Sequence, residues 1–538
     1  MCHNSFIITK PTSHTLISGL NNNKSTYFSP RVLKQLSDFI APTIISLYNK
    51  CYDEGYYPDE LKIAKVLPFF KNIGHNTDII NYRPISMLPI FSKLFEKLIH
   101  QKLWKYLEEN KIINENQFGF RSYHSTTHAL ISATEKLYKS LDNDLHSLGI
   151  FIDFSKAFDT VDHSILCSKL KNYGIQDNML KLIENYLSNR HQYVSYGNKN
   201  SSSLPITFGV PQGSVLGPLL FILFINDIIN VTSAAKFVLF ADDSNLFISH
   251  TDRFKLYELG NQVLQDIFLY CTANKIIINY DKCCFIEFKR PLNATKLSLS
   301  FPFNPIKDEE KCKFLGVYIN SNLDWSDQLA HARKLVSQSV GALYSIKSSV
   351  PQKILRTVYF SLVQPYLIYA MPVWASNHKS NDFEMLFKLQ KKAVRIISNK
   401  TSKIDRMFQH TKPIFKSLNI LTIHNLYCYI TACTANKILC SKIPSELYNL
   451  YEPSDRSSRL EIPKFKKEKN KSNSFIFNSS KILNYLTANK IDYKKLTLGT
   501  FKINLKRLLM NRQNISLKND PNWLPLNYSF FSGVEAPQ

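Results

Sequence analysis

The chain runs to 538 residues, long enough for several domains. Its 67 Lys plus Arg against 42 Asp plus Glu leave a net charge of +25, which points to a polyanionic partner; the Asn-, Lys- and Ile-rich character also fits an AT-biased genome. Ten irregularly spaced cysteines and the absence of a signal peptide argue against a disulfide framework and for reduced intracellular thiols.

Taken in chain order, residues 1–30 are polar and read as a poorly ordered lead-in. From about 31 to 140 helical patterns alternate with loops. This stretch holds Leu61-Lys-Ile-Ala-Lys65-Val-Leu-Pro68, Lys71, Asn81-Tyr-Arg83-Pro-Ile-Ser86, and Gln117-Phe-Gly-Phe-Arg121 with His124 to His128. Gly149 to Ile152 reads as a strand closed by Asp153. Gly209-Val-Pro-Gln212-Gly213-Ser-Val-Leu-Gly217-Pro218 is a loop kept permissive by its glycines and stiffened by Pro211 and Pro218, leading into an apolar helix from about Leu219 to Ile229. The longest apolar stretch, Val215 to Ile229, is broken by Pro218, Asn226 and Asp227 and is too short to span a bilayer, which predicts a soluble protein.

Phe237 to Phe240 and Leu246 to Ile248 flank Ala241-Asp242-Asp243 as the arms of a tight hairpin. After Gly316 helices are expected over Asp327–Ser348, Lys353–Tyr369 and Phe383–Ser398, the last amphipathic. Pro453 to Ser474, with its run of lysines, reads as a loop or linker, and Lys502 to Asn511 as a last helix. His424, Cys428, Cys433 and Cys440 match no zinc finger or knuckle spacing, and their aromatic neighbours read as helix core, so zinc is not expected there.

The Asp-Asp turn carries the chemistry. Aspartate is common in turns because it bonds its own backbone, so an isolated pair would be a plain surface turn. Here Asp153 ends a second strand that would lie beside the hairpin if the two pair. Three carboxylates at one sheet edge repel one another unless divalent cations neutralise them, and two Mg²⁺ ions about 3.5–4 Å apart, clamping attacking and leaving oxygens, are the usual reason for such an arrangement. That points to phosphoryl transfer.

The six motifs, in this order, resemble the reverse transcriptases of non-LTR (LINE-type) retrotransposons, most closely the jockey-like group, over roughly residues 30 to 515. The resemblance implies an α+β, right-hand polymerase: fingers over 31–140, a palm with a mixed or antiparallel sheet over 141–300, a palm–thumb junction and helical thumb over 301–400, and a helical C-terminal region with basic linker and tail over 401–538. It implies that Asp153 and Asp242 hold two Mg²⁺ ions, for which Mn²⁺ can substitute, with Asp243 contributing less directly. Phe158 would sit under the incoming sugar and exclude a ribose 2′-OH; its plainer reading is a core aromatic at a helix start. Gln212 and Gly213 would seat the template and nascent base pair. Lys71 and Arg83, with Lys65 a weaker candidate, would reach the triphosphate, and Lys282, followed by Cys283 where the family has Thr, would protonate the leaving pyrophosphate.

By the same resemblance Lys313-Phe-Leu-Gly-Val317 matches the primer-grip hairpin, and Lys391, Lys392 and Arg395 would touch the primer–template backbone from the thumb. Asp159 and Asp162 read as structural, since Asp favours helix starts. The implied function is RNA-directed DNA polymerisation on an RNA template, from a DNA primer or nicked target DNA, with dNTPs, in an intracellular ribonucleoprotein of cytoplasm and nucleus. The usual N-terminal endonuclease is not expected, because the polymerase motifs begin almost at once. A catalytically inactive or domesticated RNA-binding relic is the rival reading; a viral RNA replicase is disfavoured by Phe158 and by the Pro211-Gln-Gly-Ser214 run.

Overall fold

The computed structural model describes residues 30–376, 381–400, 410–452 and 459–512. The lead-in expected over 1–30 lies outside them apart from Pro30, as does the tail after Arg512. In chain order the strands are β1 (Ile63–Phe70), β2 (Tyr82–Met87), β3 (His146–Ile152), β4 (Arg190–Tyr196), β5 (Lys199–Asn200), β6 (Leu204–Ile206), β7 (Lys236–Phe240), β8 (Asp243–His250), β9 (Cys284–Phe288), β10 (Ser300–Phe301), β11 (Asn304–Pro305), β12 (Lys307–Asp308), β13 (Lys311–Phe314) and β14 (Val317–Asn320).

A mixed five-stranded sheet, ordered β12-β9-β3-β8-β7, is the centre of the fold. Only β12 with β9 is parallel; the other neighbours are antiparallel. Alternation across each strand splits the apolar residues between two cores. Leu148, Ile150, Ile152, Leu246, Ile248, Phe237, Leu239 and Phe285 face one core. Phe151, Phe247, Val238, Ile286 and Phe288 face the other. With both faces covered the strands read as near-continuous apolar runs, and each fully buried side chain stabilises the sheet by about 1.5–3 kcal/mol.

The first core also takes the helix Leu216–Ile225, which is apolar all round and buried throughout except at Pro218. Its N-terminus is met by the buried Glu96 carboxylate, which accepts from Val215 N at 2.5 Å and Leu216 N at 3.2 Å, an anion placed on the positive end of the helix. The helix ends earlier than its apolar run suggests, passing into a 3₁₀ segment over Asn226–Val231.

A second sheet joins β2 to β1 antiparallel and β1 to β4 in parallel, with β5 and β6 on β4. Strand β4, which falls inside the expected palm interval, therefore pairs with β1 of the expected fingers and carries β5 and β6 on its own edge. Downstream, helices run over Ser326–Ser345, Asn381–Ile397 and Leu498–Arg512, close to the expected bounds. The segment expected as one helix over Lys353–Tyr369 is an α-helix Gln352–Val358, a π segment Tyr359–Val363 and a further turn Gln364–Ile368. No helix among the described residues is long and apolar enough to cross a membrane.

Within the expected linker, residues 453–458 lie outside the described set, and Glu468–Asn473 is helical. The C-terminal region folds back onto the helix Thr126–Asp142. Glu135 accepts from Ser474 Oγ at 2.9 Å and Phe475 N at 2.5 Å, so it caps the helix Phe475–Ala488. Asp142 accepts from the backbone N–H of Lys466 and Lys467, each at 2.8 Å.

Burial pushes the Glu135 carboxyl up from 4.5 to about 7. The folded chain thus binds this proton more tightly than the unfolded one, and stability is lost as pH rises from about 4.5 to 7. Glu135→Gln removes that contribution, so urea melts at pH 5 and pH 7.5 should differ less in the variant than in wild type, by about 1–3 kcal/mol. Equal pH dependence in the two chains would assign the titration to another group.

Candidate active site

The hairpin β7–β8 closes through Ala241 and Asp242, with Phe240 paired to Asp243. The Asp-Asp pair is therefore split, Asp242 on the turn and Asp243 on the first strand position. Ala241 has φ +58°, a left-handed conformation unusual for a residue with a Cβ. Strand β3 lies antiparallel to β8 with Ile152 opposite Ser244, which places Asp153 just beyond, at the same sheet edge.

The charges respond as the sequence suggests. Burial, then the charges of Asp242 and Asp153, raises the Asp243 carboxyl from 3.8 to about 6. Asp242 is also raised, by burial first and by Asp153, while Lys282 and Arg83 pull it down. Asp153 Oδ2 accepts from Lys282 Nζ at 3.0 Å and from Asn279 Nδ2 at 3.0 Å. The backbone ties the same segments, Asn279 N donating to Asp153 O at 2.9 Å.

Among the described residues no three His, Cys, Asp or Glu side chains are gathered tightly enough to form a ready metal-ligand set. The donor chemistry nonetheless fits a hard divalent cation, since the carboxylates offer only oxygen, and burial followed by the neighbouring acids already raises two of them. At present the Lys282 ammonium provides the positive charge on Asp153.

Five residues after Asp153 stands Phe158, half-buried, its ring stacked on Phe221 at 4.5 Å and perpendicular to Phe120 at 6.2 Å. The glycine loop docks here: Val210 N donates to Phe158 O and Gly209 N to Val161 O, each at 2.8 Å. Gly209 and Gly213 both have positive φ, and a Cβ on Gly213 would stand 2.8 Å from Ser86 O. Ser86 N donates to Gln212 O at 2.7 Å, which joins β2 to the loop. The Gln212 amide donates to Asp159 Oδ1 at 2.8 Å. Asp159 is thus a partner of the loop rather than a helix cap, whereas Asp162 caps His163–Asn172 through Ser164 N and Ile165 N.

Arg83 lies exposed on β2 opposite Phe69, and its charge reaches Asp242. Lys71 instead donates to the Ile80 carbonyl at 2.8 Å, bracing the β1–β2 connection. Lys65 sits within β1, opposite Met87 and Tyr193. The segment Lys313–Val317 is the β13–β14 hairpin turn, with positive φ at Leu315 and Gly316. On the helix Asn381–Ile397, Lys392 is exposed and Lys391 lies over the Phe387 ring. Of the cysteine cluster, Cys440 donates to the Tyr493 carbonyl and His424 lies 3.7 Å from Glu384.

Three residues gain places that their motifs did not announce. Asn279 holds Asp153, Phe120 touches the Phe158 ring, and Gln117 accepts from Ala241 N in the acid-bearing turn. The nearest sequence signal was the small residue in Gln117-Phe-Gly119-Phe120, since glycine between aromatics marks a close approach of backbones.

Comparisons with known proteins give the chain's similarities. The model of the family "Reverse transcriptase (RNA-dependent DNA polymerase)" matches residues 74–319. The chain is 28% identical over 381 residues to the RNA-directed DNA polymerase from mobile element jockey of Drosophila melanogaster, covering 68% of this chain and 41% of that protein. It is 28% identical over 373 residues to the probable RNA-directed DNA polymerase from transposon BS of the same species, covering 66% and 40%. A solved structure of apo telomerase from Candida tropicalis aligns with 80% of this chain and 76% of its own, at TM-score 0.39 and 12% identity. The chain thus spans about two-fifths of the length of the curated relatives it matches. Since the family match runs across the paired strands that bring Asp153, Asp242 and Asp243 to one edge, residues 74–319 are a reverse transcriptase domain, similar to those of the jockey-like non-LTR mobile elements.

Proposed function

We propose that this chain is an RNA-directed DNA polymerase that extends a DNA primer 3′-OH along an RNA template with dNTPs. The observation that carries the reading is the meeting of Asp153 with the Asp242–Asp243 hairpin across β3 and β8, with the Phe158 ring and the Gln212 loop beside it. Asp153 and Asp242 would hold two Mg²⁺ ions, or Mn²⁺ in their place, with Asp243 contributing less directly. Bound there, the ions would supply charge neutralisation for the triphosphate and a more acidic primer hydroxyl.

The chain's own residues do the rest. Phe158, backed by Phe221, limits the space for a 2′-OH; Gln212 and Gly213 seat the template and nascent pair; Arg83 meets the triphosphate, with Lys71 bracing the same hairpin. Lys282 carries a proton on Nζ for the departing pyrophosphate. The chemistry is attack of the primer hydroxyl on the α-phosphorus with loss of pyrophosphate, so positioning and charge stabilisation dominate. The net +25 charge suits an RNA template paired with a DNA primer or nicked target DNA. Fingers over 31–140, palm over 141–300 and thumb over 301–400, with the C-terminal region beyond, are the matching division. An intracellular ribonucleoprotein in cytoplasm and nucleus is the corresponding setting.

The test is extension of oligo(dT) on poly(rA) with Mg²⁺ by the purified chain, beside Asp242→Ala/Asp243→Ala. Extension by wild type alone is expected. A folded wild type that binds the duplex without incorporating dTTP would favour an inactive RNA-binding relic.

A further inference from the structure

We infer that Gln117 is a positioning residue, whose side-chain carbonyl holds the backbone of Ala241 in the left-handed conformation that presents Asp242 and Asp243. The inference rests on the polymerase reading above and concerns a residue that reaches the acids only through the turn.

The turn places an alanine where glycine is preferred. In the two-residue loop between β7 and β8, Ala241 has positive φ and Asp242 does not, the sign pattern of a type II′ turn, whose first central position favours glycine. A Cβ there is disfavoured, so something outside the hairpin must hold the conformation. Gln117 supplies it. Its Oε1 accepts from Ala241 N at 3.1 Å and from Gly119 N at 2.8 Å. The residue is 1% exposed, and its Nε2 has no hydrogen-bond partner among the described residues. Turning the amide over would face its NH₂ toward two backbone donors, so the present orientation persists even though it leaves Nε2 unpartnered.

The surrounding backbone serves the same contact. Phe118 N donates to Leu239 O at 2.8 Å and Leu239 N to Asn116 O at 2.9 Å, laying this segment alongside β7 up to the turn. Gly119 lies so close that a Cβ on it would stand 2.3 Å from Ala241 N and 2.9 Å from the Phe240 carbonyl carbon. The next residue, Phe120, meets the Phe158 ring, so one strap touches both the acid-bearing turn and the sugar-facing ring.

The experiment uses the full chain and five variants: Gln117→Met, which keeps the shape without the acceptor, Ala241→Gly, the Gln117→Met/Ala241→Gly double variant, Gly119→Ala, and Gly119→Ala/Ala241→Gly. Two readouts are taken, Mn²⁺ binding by EPR titration of the free ion and the kcat–KM split for dTTP on poly(rA)–oligo(dT). Q117M is expected to weaken Mn²⁺ binding and lower kcat, each about tenfold, with KM within about twofold, and A241G added to it should restore most of both, because glycine adopts positive φ freely. Gly119→Ala should show the same losses without rescue by A241G, since its clash is with a backbone nitrogen that glycine retains.

A double variant no better than Q117M, or a Q117M chain equal to wild type, would overturn the inference. A Q117M chain that stays unfolded with and without A241G would assign Gln117 to core formation and overturn it too. Should wild type fail to extend primer, the polymerase reading falls, while the Mn²⁺ titration still decides the role of Gln117.

Discussion

Asp153→Asn is expected to lower primer extension by on the order of 10³-fold or more while duplex affinity stays within about twofold. The substitution keeps the shape of the side chain and removes its charge. In the structure that carboxylate is the one acid of the three bound to both Lys282 and Asn279, each at 3.0 Å. Under the proposed function, losing it would take away a ligand for the divalent ion together with the carboxylate that accepts from Lys282. Duplex binding should survive, because in the proposed function it would rest on the excess of basic residues rather than on this one acid. Rapid-quench incorporation of a single dTTP, beside a filter-binding titration of the same duplex, separates the two. A D153N chain that extends primer within about tenfold of wild type would remove Asp153 from the catalytic set.

Phe158→Val should raise incorporation of ribonucleotides relative to deoxynucleotides by about 10–10²-fold, chiefly by lowering KM for the ribonucleotide. The ring stacks on Phe221 at 4.5 Å and stands perpendicular to Phe120 at 6.2 Å, contacts that oppose its swinging aside to admit a 2′-OH. Phe120→Ala loosens only the edge contact and should shift the same ratio less. Competing rUTP with dTTP on poly(rA)–oligo(dT) reads the ratio directly, and an unchanged ratio in F158V would mark the ring as ordinary core.

How much of this was legible in the sequence follows from the range of each interaction. Strand β3 and the β7–β8 hairpin were legible because short apolar runs ended by an acid or by the Ala-Asp-Asp break are local signals, as were the helices Ser326–Ser345 and Asn381–Ile397, whereas β1 and β2 lie in a stretch that read as helices and loops. The meeting of Asp153 with the hairpin was conditional on strand pairing, which β3 and β8 provide. The helix expected over Lys353–Tyr369 divides at a π segment, a change of hydrogen-bond register to which side-chain periodicity is blind. Asp159 read as a helix-start residue because Asp favours caps, yet Asp162 takes that place and Asp159 meets Gln212 from a distant loop.

By itself, then, the sequence determined the acid-bearing turn, the ring after Asp153 and the likeness to jockey-type polymerases, since each is written in neighbouring residues. Tertiary structure alone decided that Lys282 and Asn279 share Asp153, that Glu135 caps a helix 340 positions away, and that Gln117 holds Ala241. Those contacts join segments far apart in the chain, and a hydrogen bond has no sequence signature when its partner is chosen by how two packed elements come to lie together.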